Sequence, residues 1–309
     1  LLQYQGINCY AQSRSKNFID EQQLIHTLSN HFDPVSYKEE LKKLWNEKAE
    51  FYHERYASKK LGPFLSLDDL ISVAQLKKDE RVLDIATGTG IVASEALKKV
   101  GNEGRIVGID LSPGPLEIAR KTLCDNPNVQ LLEMDAEDLR FPDGSFDIVL
   151  SEFALMFFPD SQKALREMRR VLVRGGRIAV SVHGSAERVP YFSVIMNPLI
   201  KYVPDIVPPG RPSIHRFGDP DVLKAEFEKS GFTDIRVEVH TYPYPIGTFE
   251  EYWSDYMESA AASMRSRIES LDPSVYSAIK REAESGAGRY VRNGRIEFPW
   301  EVLIASARS

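Results

Sequence analysis

Residues 82 to 90 read Val82-Leu83-Asp84-Ile85-Ala86-Thr87-Gly88-Thr89-Gly90. An apolar strand carrying one acid runs into a turn with two glycines, and a helical pattern starts after Gly90. In such a turn the backbone can approach a ligand closely, and the amides at the start of the next helix face an anion. Outward from it, apolar strands alternate with helical stretches from Arg81 to His183. The strands are Ile106-Val107-Gly108-Ile109, Val129-Leu131-Leu132, Ile148-Val149-Leu150 and Ile178 to Val182; helices follow Gly90 and Ser112 and run over about 161 to 173. This βαβ alternation predicts a parallel sheet with helices on both faces and right-handed crossovers.

Upstream, Tyr37, Leu41, Leu44, Trp45, Phe51 and Tyr52 recur at helical spacing and predict an amphipathic helix over about 37–57, ended by Gly62-Pro63. A short second helix is expected through Leu65 to Val73. Downstream, Pro190, Pro198, Pro204, Pro208, Pro209 and Pro212 break a stretch too apolar for a solvated linker, which reads as an insertion that packs rather than one long helix. A helix at about 220–230, a strand at about 232–240, helices at about 248–271 and 274–286, and a strand from Phe298 to Ala305 complete the pattern. The last strands are placed to pair antiparallel at a sheet edge.

The formal charge of −6 supplies no basic field for nucleic acid. Cys9 and Cys124 stand far apart with no ligand spacing, so neither a disulfide framework nor a metal site is expected, and a reducing, cytoplasmic setting fits. No apolar run approaches the roughly 18 residues of a membrane span, so no stable membrane insertion is expected. The sequence opens at Leu1 rather than Met, which leaves an upstream targeting segment open, and it carries no signature of oligomeric state.

Gly88-x-Gly90 alone also matches a dinucleotide fingerprint. Three features separate the readings: Asp84 inside the first strand, Asp110 ending the second in Gly108-Ile109-Asp110-Leu111-Ser112, and the Gly175-Gly176 turn before Ile178. Together they resemble the class I S-adenosylmethionine-dependent methyltransferases, and more closely the methyltransferase type 11 branch that includes the ubiquinone and menaquinone C-methyltransferases. Val107 to Arg120, Phe146 to Val149 and Pro299 to Ile304 carry that closer likeness, and Ala86 stands where many members have a third glycine.

The resemblance implies an α/β, doubly wound, Rossmann-like sheet of seven strands, mostly parallel with an antiparallel edge strand. Residues 1–75 form an N-terminal helical segment capping the active site. Residues 76–309 form the cofactor-binding domain, with insertions at about 184–218 and 241–290 as a lid. It implies S-adenosylmethionine as cofactor, S-adenosylhomocysteine as product and a small, hydrophobic organic acceptor, with no nucleic acid and no metal.

By the same resemblance Asp84, Ala86, Gly88 and Gly90 hold the methionine end and Asp110 the ribose. Leu111 lies against the adenine, Asp135 accepts its amino group and Ala136 offers a backbone N–H. Ser151 sits beside the sulfonium, and Tyr52 belongs to an aromatic segment closing over the cofactor. Read alone, Asp110 serves equally as a helix cap, Asp135 as a turn residue, Ser151 as a hydroxyl satisfying backbone, and Tyr52 as helix core. The apolar stripes Tyr191 to Tyr202 and Phe249 to Met257 are either core or the lid's inner face.

His183, immediately after the fifth strand, is the candidate general base; a histidine hydrogen-bonded in a packed loop is the other reading. Glu152 near a strand end and, from the insertion, His215 and Arg216 are further ionisable candidates, with solvated side chains as the other reading. Two functional alternatives stay open: a nicotinamide-dependent oxidoreductase, and a cofactor-binding protein without catalysis.

Overall fold

A computed structural model describes residues 32–58, 60–123 and 126–309. Most of the segment before the first helix, with Cys9, and the position of Cys124 lie outside the described residues.

The chain begins with α1 (Pro34–Tyr52), where Asp33 accepts from the amides of Val35 and Ser36 and Pro34 fills the first turn. Such a cap satisfies amides that have no partner within the helix. A π-turn (His53–Ala57) and a 3₁₀ turn (Gly62–Ser66) lead into α2 (Leu67–Ala74). Strand β1 (Arg81–Ile85) is followed by α3 (Ile91–Val100), β2 (Arg105–Asp110), α4 (Pro113–Thr122), β3 (Val129–Glu133), β4 (Phe146–Glu152), α5 (Ser161–Val171) and β5 (Leu172–His183). Then come α6 (Pro190–Tyr202), α7 (Pro220–Lys229), β6 (Thr233–Gly247), α8 (Phe249–Glu258), α9 (Arg265–Glu269), α10 (Pro273–Ala287), the two-residue β7 (Val291–Arg292) and β8 (Arg295–Arg308).

The eight strands form one sheet in the order β3-β2-β1-β4-β5-β8-β6, with β7 paired to β8. Strands β1 to β5 are parallel, and β8 runs antiparallel to both β5 and β6. The antiparallel strand therefore lies one place inside the edge, and β7 accounts for the count beyond seven. Strand order reverses between β1 and β4, the switch point where crossovers on opposite faces diverge and leave a crevice at the strands' carboxyl ends. Leu83, Ile85, Ile109, Ile148, Val149 and Val180 are buried, as strands covered by helices on both faces require.

Two elements differ from the expectation. Strand β6 runs on to Gly247 through Pro243 and Pro245, into the stretch read as the start of the second insertion. It is the edge strand, where a missing amide leaves no partner unsatisfied. The Pro-rich stretch holds a regular helix, α6, with Pro190 in its first turn and Pro198 inside it. Burial of Tyr191, Ile195, Pro198 and Leu199 offsets the bond lost at Pro198.

Candidate functional site

The carboxyl ends of β1, β2 and β4 open into a cavity of about 720 Å³, toward the upper end of the roughly 300–1,000 Å³ of small-molecule sites. One end of its wall is the glycine turn with Asp110, Leu111, Asp135 and Ala136. Gly88 and Gly90 have φ of +56° and +84°, the left-handed region glycine reaches without strain. Ala86 shares that region at φ +54° and also faces the cavity. A Cβ placed on Gly88 would have only the Ala86 carbonyl oxygen within 4 Å, at 3.9 Å, so a larger side chain there projects toward the ligand's space.

Asp110 accepts from the Gly88 amide (3.0 Å) and the Ser112 amide (2.8 Å). It is at once the cap of the following turn and a brace for the glycine turn. A carboxylate offers about four acceptor positions, so two remain for a diol. Burial pushes its carboxyl up, while these amides pull the other way.

Asp135 accepts from the Glu137 amide (2.9 Å) and from Lys38 of α1 (2.7 Å), and Lys38 also reaches Glu137 (2.7 Å). Helix α1 is thereby tied over this end of the cavity. Asn46 adds a bond from the Gly114 amide (2.7 Å), and Trp45 and Tyr52 turn inward with ring centroids 5.1 Å apart.

Asp84 and Ser151 lie elsewhere than the resemblance implies. Asp84 is buried beneath the glycine turn, where its Oδ2 accepts from the Thr87 hydroxyl (2.6 Å), and it does not line the cavity. Burial pushes its carboxyl up to about 7. It braces the turn rather than facing a ligand. Ser151 is fully buried and donates to the Ile85 carbonyl (3.2 Å), the backbone-satisfying role left open above. The next residue, Glu152, lines the cavity instead.

The opposite end is aromatic. Phe153, Phe192 and Trp300 surround His183 with centroid distances of 4.5, 5.2 and 5.4 Å. Phe153 sits at φ +50°, a conformation that costs a non-glycine residue roughly 1–3 kcal/mol and persists where packing enforces it. His183 is buried, lines the cavity and has no partner at Nδ1. Burial, and behind it the charge of His215, holds it well below the ordinary imidazole value, so it is neutral at pH 7.

His215, Glu152 and Arg216 are not solvated. His215 lines the cavity with Nδ1 2.7 Å from the Gly184 carbonyl oxygen. A carbonyl only accepts, so Nδ1 carries the hydrogen and Nε2 keeps a lone pair; that Nε2 is buried and unpartnered. Burial lowers its pKa as well. Arg216 donates to the carbonyls of Leu155 (2.8 Å) and Phe158 (2.5 Å), pinning the first insertion to the turn after β4. No sequence signal separates a covered histidine from a solvated one, because the cover comes from distant segments.

Both insertions reach the cavity. Phe192, Met196 and His215 come from 184–218, and Tyr256, Ser259 and Met264 from 241–290. They are joined through Asp255, which accepts from Arg55 (2.8 Å), Tyr56 (3.0 Å) and Tyr191 (2.7 Å). Among the described residues no cluster of His, Cys, Asp and Glu could hold a metal ion, and no helix is long and apolar enough to cross a membrane.

Comparison with known proteins agrees with this geometry. Residues 83–180 match the family described as "Methyltransferase domain". The chain is 36% identical over 190 residues to the demethylmenaquinone methyltransferase of Thermus thermophilus, covering 56% of this chain and 82% of that protein. It is 39% identical over 134 residues to the aklanonic acid methyltransferase of Streptomyces sp. strain C5, where the match covers 42% of this chain and 61% of that relative. Among solved structures, the YcgJ protein of Bacillus subtilis aligns with a TM-score of 0.53 at 23% identity, over 79% of this chain and 97% of that one, which shows the shared fold.

Proposed function

This chain belongs to the S-adenosylmethionine-dependent methyltransferases, and from that premise we propose that it methylates a small, hydrophobic organic acceptor, of natural-product, quinone or lipid-like character, at an oxygen or acidic carbon. One observation carries the reading: a single cavity has the glycine turn with Asp110 and Asp135 at one end and an aromatic wall with two neutral imidazoles at the other. Relatives named for aklanonic acid and demethylmenaquinone support an organic acceptor.

The residues fit the cofactor: the Gly88 position leaves backbone open to the cavity, and Asp110 retains acceptor capacity for ribose hydroxyls. Asp135 and Ala136 would take the adenine and Leu111 its face. When bound, S-adenosylmethionine supplies an electrophilic methyl on a sulfonium.

The chain's own work is alignment and exclusion of water, which lower the barrier of an in-line displacement whose charge disappears. Tyr52 and Trp45 from α1 and Phe192 from the first insertion close the cavity. His183, or His215 through its free Nε2, accepts the acceptor's proton, a contribution of roughly 10² to 10⁴ in rate. Resident acid chemistry at either imidazole is disfavoured, since both are neutral.

The test is transfer of isotope-labelled methyl from S-adenosylmethionine to a panel of hydroquinones and hydroxylated polycyclic aromatics, with mass spectrometry of any copurified ligand. Label in a product supports the reading; a copurified nicotinamide, or donor binding with no label transferred to any acceptor class, contradicts it.

A further inference from the structure

Glu152 is the last residue of β4, and both of its carboxyl oxygens are buried without a hydrogen-bond partner in the wall of the cavity. The other acids lining that cavity are engaged: Asp110 by two amides, Asp135 by Lys38 and an amide, and Glu258 by the Ser254 hydroxyl. Among the described residues Glu152 is thus the cavity-lining acid with neither carboxyl oxygen partnered.

Register fixes where it points. Asp84 pairs with Leu150 across the parallel β1 and β4. Glu152 lies two residues beyond Leu150, so the pleat puts Asp84 and Glu152 on one face of the sheet, at its carboxyl end. The titratable groups that act electrostatically on Glu152 or feel its charge are Asp84 from β1, Lys60 from the segment before the 3₁₀ turn, Asp68 from α2, Tyr52 from α1 and Tyr242 from β6. The one cation among them, Lys60, is committed to Asp68 (3.0 Å) and Glu95 (3.3 Å). A buried carboxyl with no donor and no free cation beside it is poised for a positively charged ligand that need not donate a hydrogen bond.

We propose that Glu152 receives the sulfonium charge of the methyl donor, so that the cavity discriminates between the donor and its uncharged, demethylated product. The inference rests on the methyltransferase reading and adds a residue and a consequence to it. Burial, and next the charge of Asp84, raise the Glu152 carboxyl well above its ordinary value, so the free protein keeps its proton to higher pH than an exposed carboxyl does. A cation beside it favours the carboxylate, and one proton passes to solvent as the donor binds. Once the methyl has left, the sulfide is neutral, the carboxylate takes a proton back and the attraction ends. A carboxylate beside a vanishing charge stabilises the ground state more than the transition state, so Glu152 serves product release rather than bond making.

Titration calorimetry on the whole chain tests this with S-adenosylmethionine and S-adenosylhomocysteine, in phosphate and in Tris at pH 7, for the wild type and Glu152→Gln. The wild type should release up to about one proton on binding the donor and markedly fewer on binding the product. Glu152→Gln should abolish that difference and lower the donor-to-product affinity ratio at pH 7 roughly two- to twentyfold, as expected of a carboxyl that must lose a proton to ionise and whose pKa a neighbouring cation lowers by about one to two units. Equal proton counts for both ligands in the wild type, or an unchanged ratio in the variant, would overturn the proposal while leaving the methyltransferase reading intact. A wild type that binds neither ligand would overturn both. Should the variant fail to fold, the wild-type proton counts decide alone.

Discussion

Lys38 Nζ lies 2.7 Å from Asp135 Oδ2, so α1 is fastened to the rim of the cavity by the carboxylate that the resemblance assigns to the adenine. The pair is partly exposed, with side-chain accessibilities of 21% and 32%, and pairs of this kind contribute about 1 kcal/mol or less. Its effect is therefore local. Asp135→Ala should speed hydrogen exchange across 34–52 while leaving the global denaturation midpoint within about 1 kcal/mol of wild type. Unchanged exchange in α1 would show that the remaining Lys38–Glu137 pair and the inward-facing Trp45 and Tyr52 hold the helix without Asp135.

Asp110 has two structural duties, through the Gly88 and Ser112 amides, besides its proposed one. Asp110→Ala should weaken S-adenosylmethionine and S-adenosylhomocysteine by a similar factor, worth about 2–4 kcal/mol, since both carry the same ribose. Calorimetry showing a loss for only one of them would remove the ribose assignment.

The neutrality of His183 has a pH signature. Its folded pKa lies well below the ordinary imidazole value, so below about pH 6.5 the unfolded chain binds a proton that the folded chain refuses. Its contribution to stability is present above that value and is lost as pH falls. Asp84 and Glu152, raised by burial, act with the opposite sign, so the histidine is isolated by comparison with a variant. Lowering the pH from 7.5 to 5.5, in denaturant titrations, should destabilise the wild type by about 1–1.5 kcal/mol more than His183→Gln. Parallel profiles would mean that His183 titrates normally.

Asp255 gathers Arg55 and Tyr56 from the turn after α1 and Tyr191 from α6, so it ties its own helix to two other segments. Removing it takes a partner from two hydroxyls, of which Tyr191 keeps Ser259 (2.9 Å), and from one partly exposed guanidinium, so Asp255→Ala should cost about 2–4 kcal/mol of stability, and Tyr191→Phe about 1. Denaturant midpoints check both, and equal losses for the two variants would contradict a network centred on the carboxylate.

The alternation of strands and helices from Arg81 to His183 was legible because strands buried on both faces are continuously apolar and the glycine turn punctuates them. The full length of β6 is not legible in the sequence, because Pro243 and Pro245 are breakers anywhere but at a sheet edge, and edge position is a property of the whole topology. The phase of the pleat turns Ser151 away from the cavity and Glu152 into its wall. Neighbouring residues point to opposite faces, and a strand apolar on both faces does not display which is which. Asp84 marked the turn correctly as a motif, yet its side chain supports Thr87 from below, a placement that depends on how the turn folds back. The burial of Arg216 depends on the turn after β4, and that of His215 on the end of β5 and on α6 folding back over it, neither of which is local in sequence.

Binding of S-adenosylmethionine to the wild type and to Gly88→Leu tests the central claim most directly. At Gly88 a side chain meets little of the protein, so beyond the strain of a non-glycine residue at φ +56° the space it takes is the ligand's. Calorimetry should show saturable one-to-one binding to the wild type and no detectable binding to a Gly88→Leu variant whose circular dichroism still reports the folded sheet. No binding to the wild type, or equal affinity in a folded Gly88→Leu, would contradict the assignment of this cavity to the methyl donor.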